Sequence, residues 1–200
     1  MPAGTKPQGD GLALIFSAPS GAGKTTIVRH LLNVPDLALG FSISATTRPP
    51  RPGEQDGKDY HFLSQEEFAH HVDAGDFVEY EEVYPGLSYG TLCKEVERLW
   101  RDGRTPVFDV DVVGGQTLKS VFGDSALSIF VMPPSLLVLE DRLRARATES
   151  EKALEQRIAK AQQEMEAASE FDLRLVNADL KLTLQEAEDM VSDFMAQRFG

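Results

Sequence analysis

Apolar residues fall along this chain in short blocks whose spacing alternates between strand-like and helix-like. Leu12-Ala13-Leu14-Ile15-Phe16-Ser17 is a continuous apolar run bounded by turn residues, the pattern of a strand buried on both faces. Thr25 to Leu32 follows with helical spacing and stops near Asn33-Val34-Pro35. Gly40-Phe41-Ser42-Ile43-Ser44 is a second strand candidate. The stretch after it, Thr46-Thr47-Arg48-Pro49-Pro50-Arg51-Pro52-Gly53-Glu54, excludes regular structure, because prolines remove donors and push their neighbours extended. Ser64-Gln65-Glu66-Glu67 is a capping box and predicts a short helix to about Val72. Phe77-Val78-Glu79-Tyr80 and the residues up to Thr91 read as short strands and turns.

The alternation then resumes. Cys93 to Arg101 is helical in spacing, Thr105 to Val112 is a buried strand ending in acids, and Ser125 to Met132 is another strand. Residues 135–168 are nearly all helix formers, Asp172 to Asn177 is a last short strand, and Thr183-Leu184-Gln185-Glu186 is a second capping box that would start a terminal helix to about Phe199. Strands separated by helical stretches predict an α/β fold, a parallel sheet with helices on both faces. Residues 44–91, polar and rich in proline and aromatics, interrupt it as an insertion. Residues 1–10 lack an apolar block, so they read as a disordered extension and not as a secretory signal.

Length and charge narrow the function. A chain of 200 residues suits one well-cored domain with small inserted parts. A net charge of −12 argues against nucleic-acid and anionic-membrane partners, which select basic patches. A small anionic ligand stays compatible, since it responds to a few local cations. The single cysteine, Cys93, allows no intrachain disulfide and reads as a partly buried thiol of a reducing cytosol. No stretch approaches the length of about 18 apolar residues that a membrane span needs.

The candidate chemistry starts where the first strand ends. Ser17-Ala18-Pro19-Ser20-Gly21-Ala22-Gly23-Lys24-Thr25-Thr26 sits between a strand and a helix, the context in which backbone N–H groups and a helix dipole surround a phosphate. Ala18 stands where the generic phosphate loop has its first glycine, which costs little if Ala18 keeps negative φ at the strand end. Gly21 and Gly23 let the backbone bend, Lys24 reaches terminal phosphates and the Thr25 hydroxyl suits Mg²⁺. The plainer alternative is an ordinary turn with a solvated lysine. Asp109 and Asp111, two apart at the carboxyl end of a strand, would share one face, Asp109 near Mg²⁺ and Asp111 near a ligand hydroxyl; alternatively they cap the next turn. Arg142, Arg144, Arg146 and Arg157 lie on the helical stretch after Met132, where a basic face is either solvated or a phosphoryl clamp.

Taken with Ser44-Ala45-Thr46-Thr47-Arg48-Pro49-Pro50-Arg51, Gly57-Lys58-Asp59-Tyr60, Glu79, Ser88-Tyr89-Gly90-Thr91 and Asp109-Val110-Asp111, in that order, the loop resembles that of the guanylate kinase family. The resemblance runs from about Gly11 to the C-terminal helix. It implies a P-loop core over residues 11–43, 92–134 and 169–200, a GMP-binding insertion over 44–91 and a lid over 135–168. It implies transfer of a phosphoryl group from ATP to GMP, and to dGMP, with Mg²⁺, in purine nucleotide metabolism and GMP recycling. The partners would be these small molecules, with no nucleic acid and no membrane, for a cytoplasmic monomer or homodimer. Carried over residue by residue, Ser20, Gly21, Ala22, Gly23, Lys24, Thr25 and Thr26 would hold ATP, with Asn177 by the adenine. Arg48, Arg51, Tyr60 and Tyr89 would hold the GMP phosphate, Ser44, Glu79 and Thr91 would read guanine, and Asp111 would complete that site. Lys24, Arg48, Arg142, Arg146 and Arg157 would act on the transferring group, and Thr25 and Asp109 would serve Mg²⁺.

Without the resemblance, Glu79 would pass for an ordinary strand carboxylate, and Tyr60 and Tyr89 for packing aromatics. With it, an ionised Glu79 accepts the N1–H and 2-amino donors of guanine, whereas adenine, lacking N1–H, leaves a desolvated carboxylate unpaired. Two rivals remain: a non-catalytic scaffold domain of the same fold, against which the intact Lys24 and Thr25 argue, and a P-loop kinase for another small phosphate, against which Glu79 and Ser44 argue.

Overall fold

The computed structural model describes residues 4–145 and 151–199. In chain order its strands are β1 Ala13–Ser17, β2 Leu39–Phe41, β3 Ala45–Thr46, β4 His61–Phe62, β5 Phe77–Tyr84, β6 Leu87–Leu92, β7 Thr105–Asp109, β8 Ala126–Met132 and β9 Leu173–Val176. The helices are α1 Lys24–Leu32, α2 Gln65–Asp73, α3 Cys93–Arg101, α4 Val112–Phe122, α5 Leu136–Ala145, α6 Glu151–Glu166 and α7 Leu180–Phe199.

The larger sheet is parallel throughout, in the order β2-β7-β1-β8-β9. The apolar run of β1 puts it at the centre, because both of its faces are covered. Leu14 and Phe16 pack with Ile27, Val28 and Leu31 of α1 and with Ala187 and Val191 of α7. Ala13 and Ile15 pack on the other face with Val96 of α3 and with Leu118 and Phe122 of α4. Every one of these side chains is at most 4% exposed, so the sheet is closed to water on both sides and only its strand ends remain for a ligand.

A second sheet, β4-β3-β6-β5, is built from the inserted residues and centres on the β5–β6 hairpin. Phe68 of α2 stacks on Phe77 beneath it, with centroids 4.5 Å apart. The Ser64 capping box forms as expected: the Glu67 amide donates to Ser64 Oγ, and the Ser64 amide donates to the Glu67 carboxylate. Helix α3 follows β6 at the predicted residues, and its buried Glu95 accepts the Ile43 amide, tying the link between the sheets to the core.

Three expectations are corrected. The strand of residues 105–112 stops at Asp109; Asp111 caps α4 instead, its Oδ1 accepting the Gly114 amide at 2.8 Å. The terminal helix begins at Leu180 and not at Thr183: Asp179 accepts the Leu182 amide, and the Thr183 hydroxyl turns back to the Asp179 carbonyl inside the first turn. Residues 4–10 are an ordered strap and not a disordered extension. The Thr5 amide donates to Phe77 O, the Gln8 amide donates to Glu97, and Gly9 and Gly11 lie against Trp100. Close backbone approach to an aromatic ring needs no apolar block, which is why the composition concealed it.

Candidate active site

The loop between β1 and α1 turns on Gly21 (φ 94°) and Gly23 (φ 101°), values that only glycine adopts without strain. A Cβ on Gly23 would come within 2.2 Å of Asn177 Nδ2, whose amide donates to Ala22 O at 2.8 Å. Ala18 needs no such freedom: the only described non-glycine residue at positive φ is Ala38. Thus the alanine that departs from the generic pattern sits where a side chain is tolerated. No side chain caps α1, so its first amides are left to face a ligand.

Ala18, Pro19, Ser20, Gly21, Gly23, Lys24, Thr25 and Thr26 line a cavity of about 370 Å³ whose other wall is Asp109, Val110, Asp111 and Glu164. Ala22, expected with them, is fully buried and does not line the cavity; its carbonyl accepts the Asn177 amide. Lys24 Nζ lies 2.6 Å from Asp109 Oδ1 and donates to Val110 O, so the lysine is held across the cavity mouth by the strand-end acid. Arg157 on α6 donates to Ser20 Oγ, bringing that helix over the loop. The hard oxygen donors at this wall, Thr25 Oγ and the Asp109 carboxylate, suit a hard divalent cation. Among the described residues no cluster of side chains would hold a metal alone, so phosphate oxygens would have to complete its shell.

A second cavity, about 250 Å³, is lined by Ser44, Tyr60, Glu79, Glu81, Val83, Tyr89 and Gly90. It shares Asp109, Val110 and Asp111 with the first, so the two spaces meet at the end of β7. Glu79 and Thr91 are cross-strand partners, and the Thr91 hydroxyl donates to Glu79 Oε1 at 2.7 Å. Burial pushes the Glu79 carboxyl up to about 7 against that hydrogen bond, helped by the Asp111 charge. Tyr60 and Tyr89 meet edge to face at 6.0 Å, and the Arg48 guanidinium stands 5.4 Å from the Tyr60 centroid while paired with Glu54 at 2.9 Å. Burial also raises the Tyr60 phenol, keeping it a neutral donor.

Not every expected residue joins these cavities. The Arg51 side chain is exposed, while its backbone amide donates to the Glu54 carboxylate and its carbonyl accepts the Glu54 amide. Arg142 donates to Asn177 O at 2.9 Å and lines a third cavity with Gly21, Gly23, Thr26 and Asn177, one that Asp109 does not line. Arg144 is taken up by Glu140 and Glu151, joining α5 to α6. Arg146 lies outside the described residues. Conversely, Glu81 and Glu164 face the cavities without having been singled out; each stands among other acids in sequence, and nothing local distinguishes them. Cys93 donates to Thr5 O, and burial, then Glu97 and Asp76, push its thiol up to about 11, so it carries no thiolate at neutral pH.

The family model described as guanylate kinase matches residues 11–194. A guanylate kinase from Porphyromonas gingivalis is 48% identical over 184 residues, 92% of this chain and 98% of that protein. One from Salinibacter ruber is 48% identical over 184 residues, 92% of this chain and 96% of that protein. Among solved structures, the crystal structure of guanylate kinase from Anaplasma phagocytophilum is similar with a TM-score of 0.71 at 29% identity, covering 95% of this chain and 87% of that one.

Proposed function

The chain belongs to the guanylate kinase family, with the P-loop parallel-sheet fold of that family, and we propose that its two meeting cavities divide the two substrates of the reaction between them. The protein is a nucleoside monophosphate kinase that transfers the γ-phosphoryl group of ATP to GMP, giving ADP and GDP. ATP lies with its phosphates on the loop of residues 20–26, and its adenine lies toward Asn177 and Arg142. GMP lies in the cavity of the second sheet, with guanine at Ser44, Glu79 and Thr91 and phosphate at Arg48, Tyr60 and Tyr89. The observation that carries this reading is the shared wall of Asp109, Val110 and Asp111, at which the two spaces adjoin.

Each role follows from charge and geometry. Ionised Glu79 accepts from N1–H and the 2-amino group of guanine, and Ser44 donates to O6. The GMP phosphate is already an anionic nucleophile at neutral pH, so no general base is needed. Positive charge at the site is the main contribution to catalysis. Lys24 exchanges Asp109 for the terminal phosphates of ATP, and Arg157, beside Ser20, stands where it reaches the same group. Arg51 and Arg146 complete the clamp from the insertion and the lid, taken as residues 44–91 and 135–168, by closing over bound substrates. As a phosphoryl-transfer kinase, the protein works with a divalent cation; we take it to be Mg²⁺, held by Thr25 and Asp109 with phosphate oxygens, where it would neutralise developing charge. We take dGMP, which carries the same base and phosphate, to be an acceptor as well. Among the described residues no helix is long and apolar enough to cross a membrane.

The test is ADP release by the purified protein with ATP and GMP, dGMP, AMP or UMP as acceptor. GMP and dGMP should stimulate it strongly and AMP weakly. Absence of stimulation by GMP would overturn the assignment, and an equal response to AMP would overturn the role of Glu79.

A further inference from the structure

Helix α3 carries Lys94, Arg98 and Arg101 at spacings of four and three, so the three cations share one face and span about 10 Å along its axis. Such a row is unexpected in a chain of net charge −12. The three side chains line a cavity of about 580 Å³, larger than either substrate cavity and sharing no residue with them. Gly57 and His61 line it too, so it lies where the inserted residues meet α3.

What this cavity offers a ligand is positive. Glu95, the one carboxylate in its lining, is 4% exposed and already satisfied: Arg98 donates to both of its oxygens and the Ile43 amide to one of them. Arg98 is in turn occupied by Glu95 and by Asp102 at 3.2 Å. Lys94 and Arg101 are exposed, and neither forms an ion pair with a described residue. His61 Nε2 is buried without a hydrogen-bond partner among the described residues, and Glu95 Oε2, 4.0 Å away, is too far to serve as one. A buried ring nitrogen left in that state costs free energy, which a ligand oxygen would recover.

Two unpaired cations separated by two helical turns suit a ligand with two anionic groups. Phosphoryl groups match them best, because a guanidinium binds two of their oxygens at once and the remaining oxygen accepts from a further donor such as His61. A long polyanion would be repelled by the acidic remainder of the chain, so the ligand is small. We propose that this cavity is a separate anion site, which binds a small molecule carrying two phosphoryl groups through Lys94, Arg101 and His61 Nε2. The site goes beyond the transfer reaction and does not depend on which nucleotide is the acceptor.

The probes are inorganic pyrophosphate and fructose 1,6-bisphosphate. Each is titrated calorimetrically, in metal-free buffer, into protein whose substrate cavities are filled with ADP and GMP, a pair that cannot react. At least one probe should bind one to one and shift the ring NMR signals of His61, identified by their loss in His61→Gln. Inorganic phosphate should bind about tenfold more weakly, the scale of one lost charge-assisted contact. Lys94→Ala combined with Arg101→Ala should weaken the probe by at least about tenfold and leave phosphorylation of GMP unchanged, which also shows that the variant folds. Lys94→Gln alone should weaken it in the same direction. Absence of saturable binding by both probes would overturn the inference, as would binding that the double variant retains or inorganic phosphate binding as tightly. Binding seen only when ADP and GMP are left out would overturn it too, since it would put the probe in the substrate cavities. If the wild type fails to phosphorylate GMP, the functional assignment falls, while the His61 signals and the Lys94 and Arg101 variants still decide this site.

Discussion

Glu79→Gln should stabilise the folded protein at alkaline pH and weaken GMP, and both effects come from burying one carboxylate. Glu79 is 8% exposed, and burial raises the pKa of its carboxyl from an ordinary 4.5 to about 7 in the fold. The folded state therefore keeps a proton that the unfolded chain releases, and stability falls as pH rises from 4.5 to about 7, then levels off. At 1.36 kcal/mol per pKa unit, the accumulated cost above pH 7 is about 3 kcal/mol. Glutamine never ionises, and its carbonyl can still accept the Thr91 hydroxyl, so it escapes this cost. Because the pI is near 4.8, the lower measurement belongs at pH 5.5. Urea unfolding at pH 5.5 and 8.5 should show the stability gap between variant and wild type widening by about 2 kcal/mol. Using the gap cancels the other titrating acids to first order. GMP should show the opposite response: the wild type binds it more tightly as pH rises through about 7, while the variant binds it weakly and with little pH dependence. A gap that stays constant with pH would refute the reasoning, since it would mean that Glu79 titrates alike in the folded and unfolded states.

Two further outcomes concern the phosphate loop. Lys24→Ala should lower turnover by on the order of a thousandfold while calorimetric GMP affinity stays near the wild-type value, because Lys24 lines the loop cavity and not the guanine cavity. Normal turnover in this variant would remove the loop from the mechanism. Gly23→Ala forces a Cβ to within 2.2 Å of Asn177 Nδ2 at a positive φ, so it should lose about 1–3 kcal/mol of stability in urea melts together with ATP binding. Ala18→Gly, at a position without positive φ, should leave ATP affinity unchanged; a matching loss there would show that loop flexibility, not geometry, matters.

Much of the fold was legible because its signals are local. The apolar run of β1, the glycine turn after it, the Ser64 capping box and the bounds of α3 depend on neighbouring residues and backbone conformation, and each formed where the spacing put it. The readings that failed were those where a local signal had two outcomes. Val110 and Val112 extend an apolar alternation that continues equally well as a strand, and only the packing of α4 against Phe108 and Ile15 turns the chain at Asp109. Thr183 begins a capping-box pattern, but Asp179 closes the helix earlier because β9 ends at Val176, just before it.

By itself, then, the sequence determined the alternating architecture, the phosphate loop and the order of the motifs, all of which follow from bonds and spacings between near neighbours. The tertiary structure alone decided which charges meet. Glu79, Glu81, Asp111 and Glu164 are equivalent as letters, yet the first is desolvated against Thr91, the next two share a cavity and the last is carried to the phosphate loop by α6. Arg142 and Arg157 come from the same helical stretch, but one reaches Asn177 and the other Ser20. Desolvation and Coulomb energy depend on distances between residues far apart in the chain, and folding alone sets those distances.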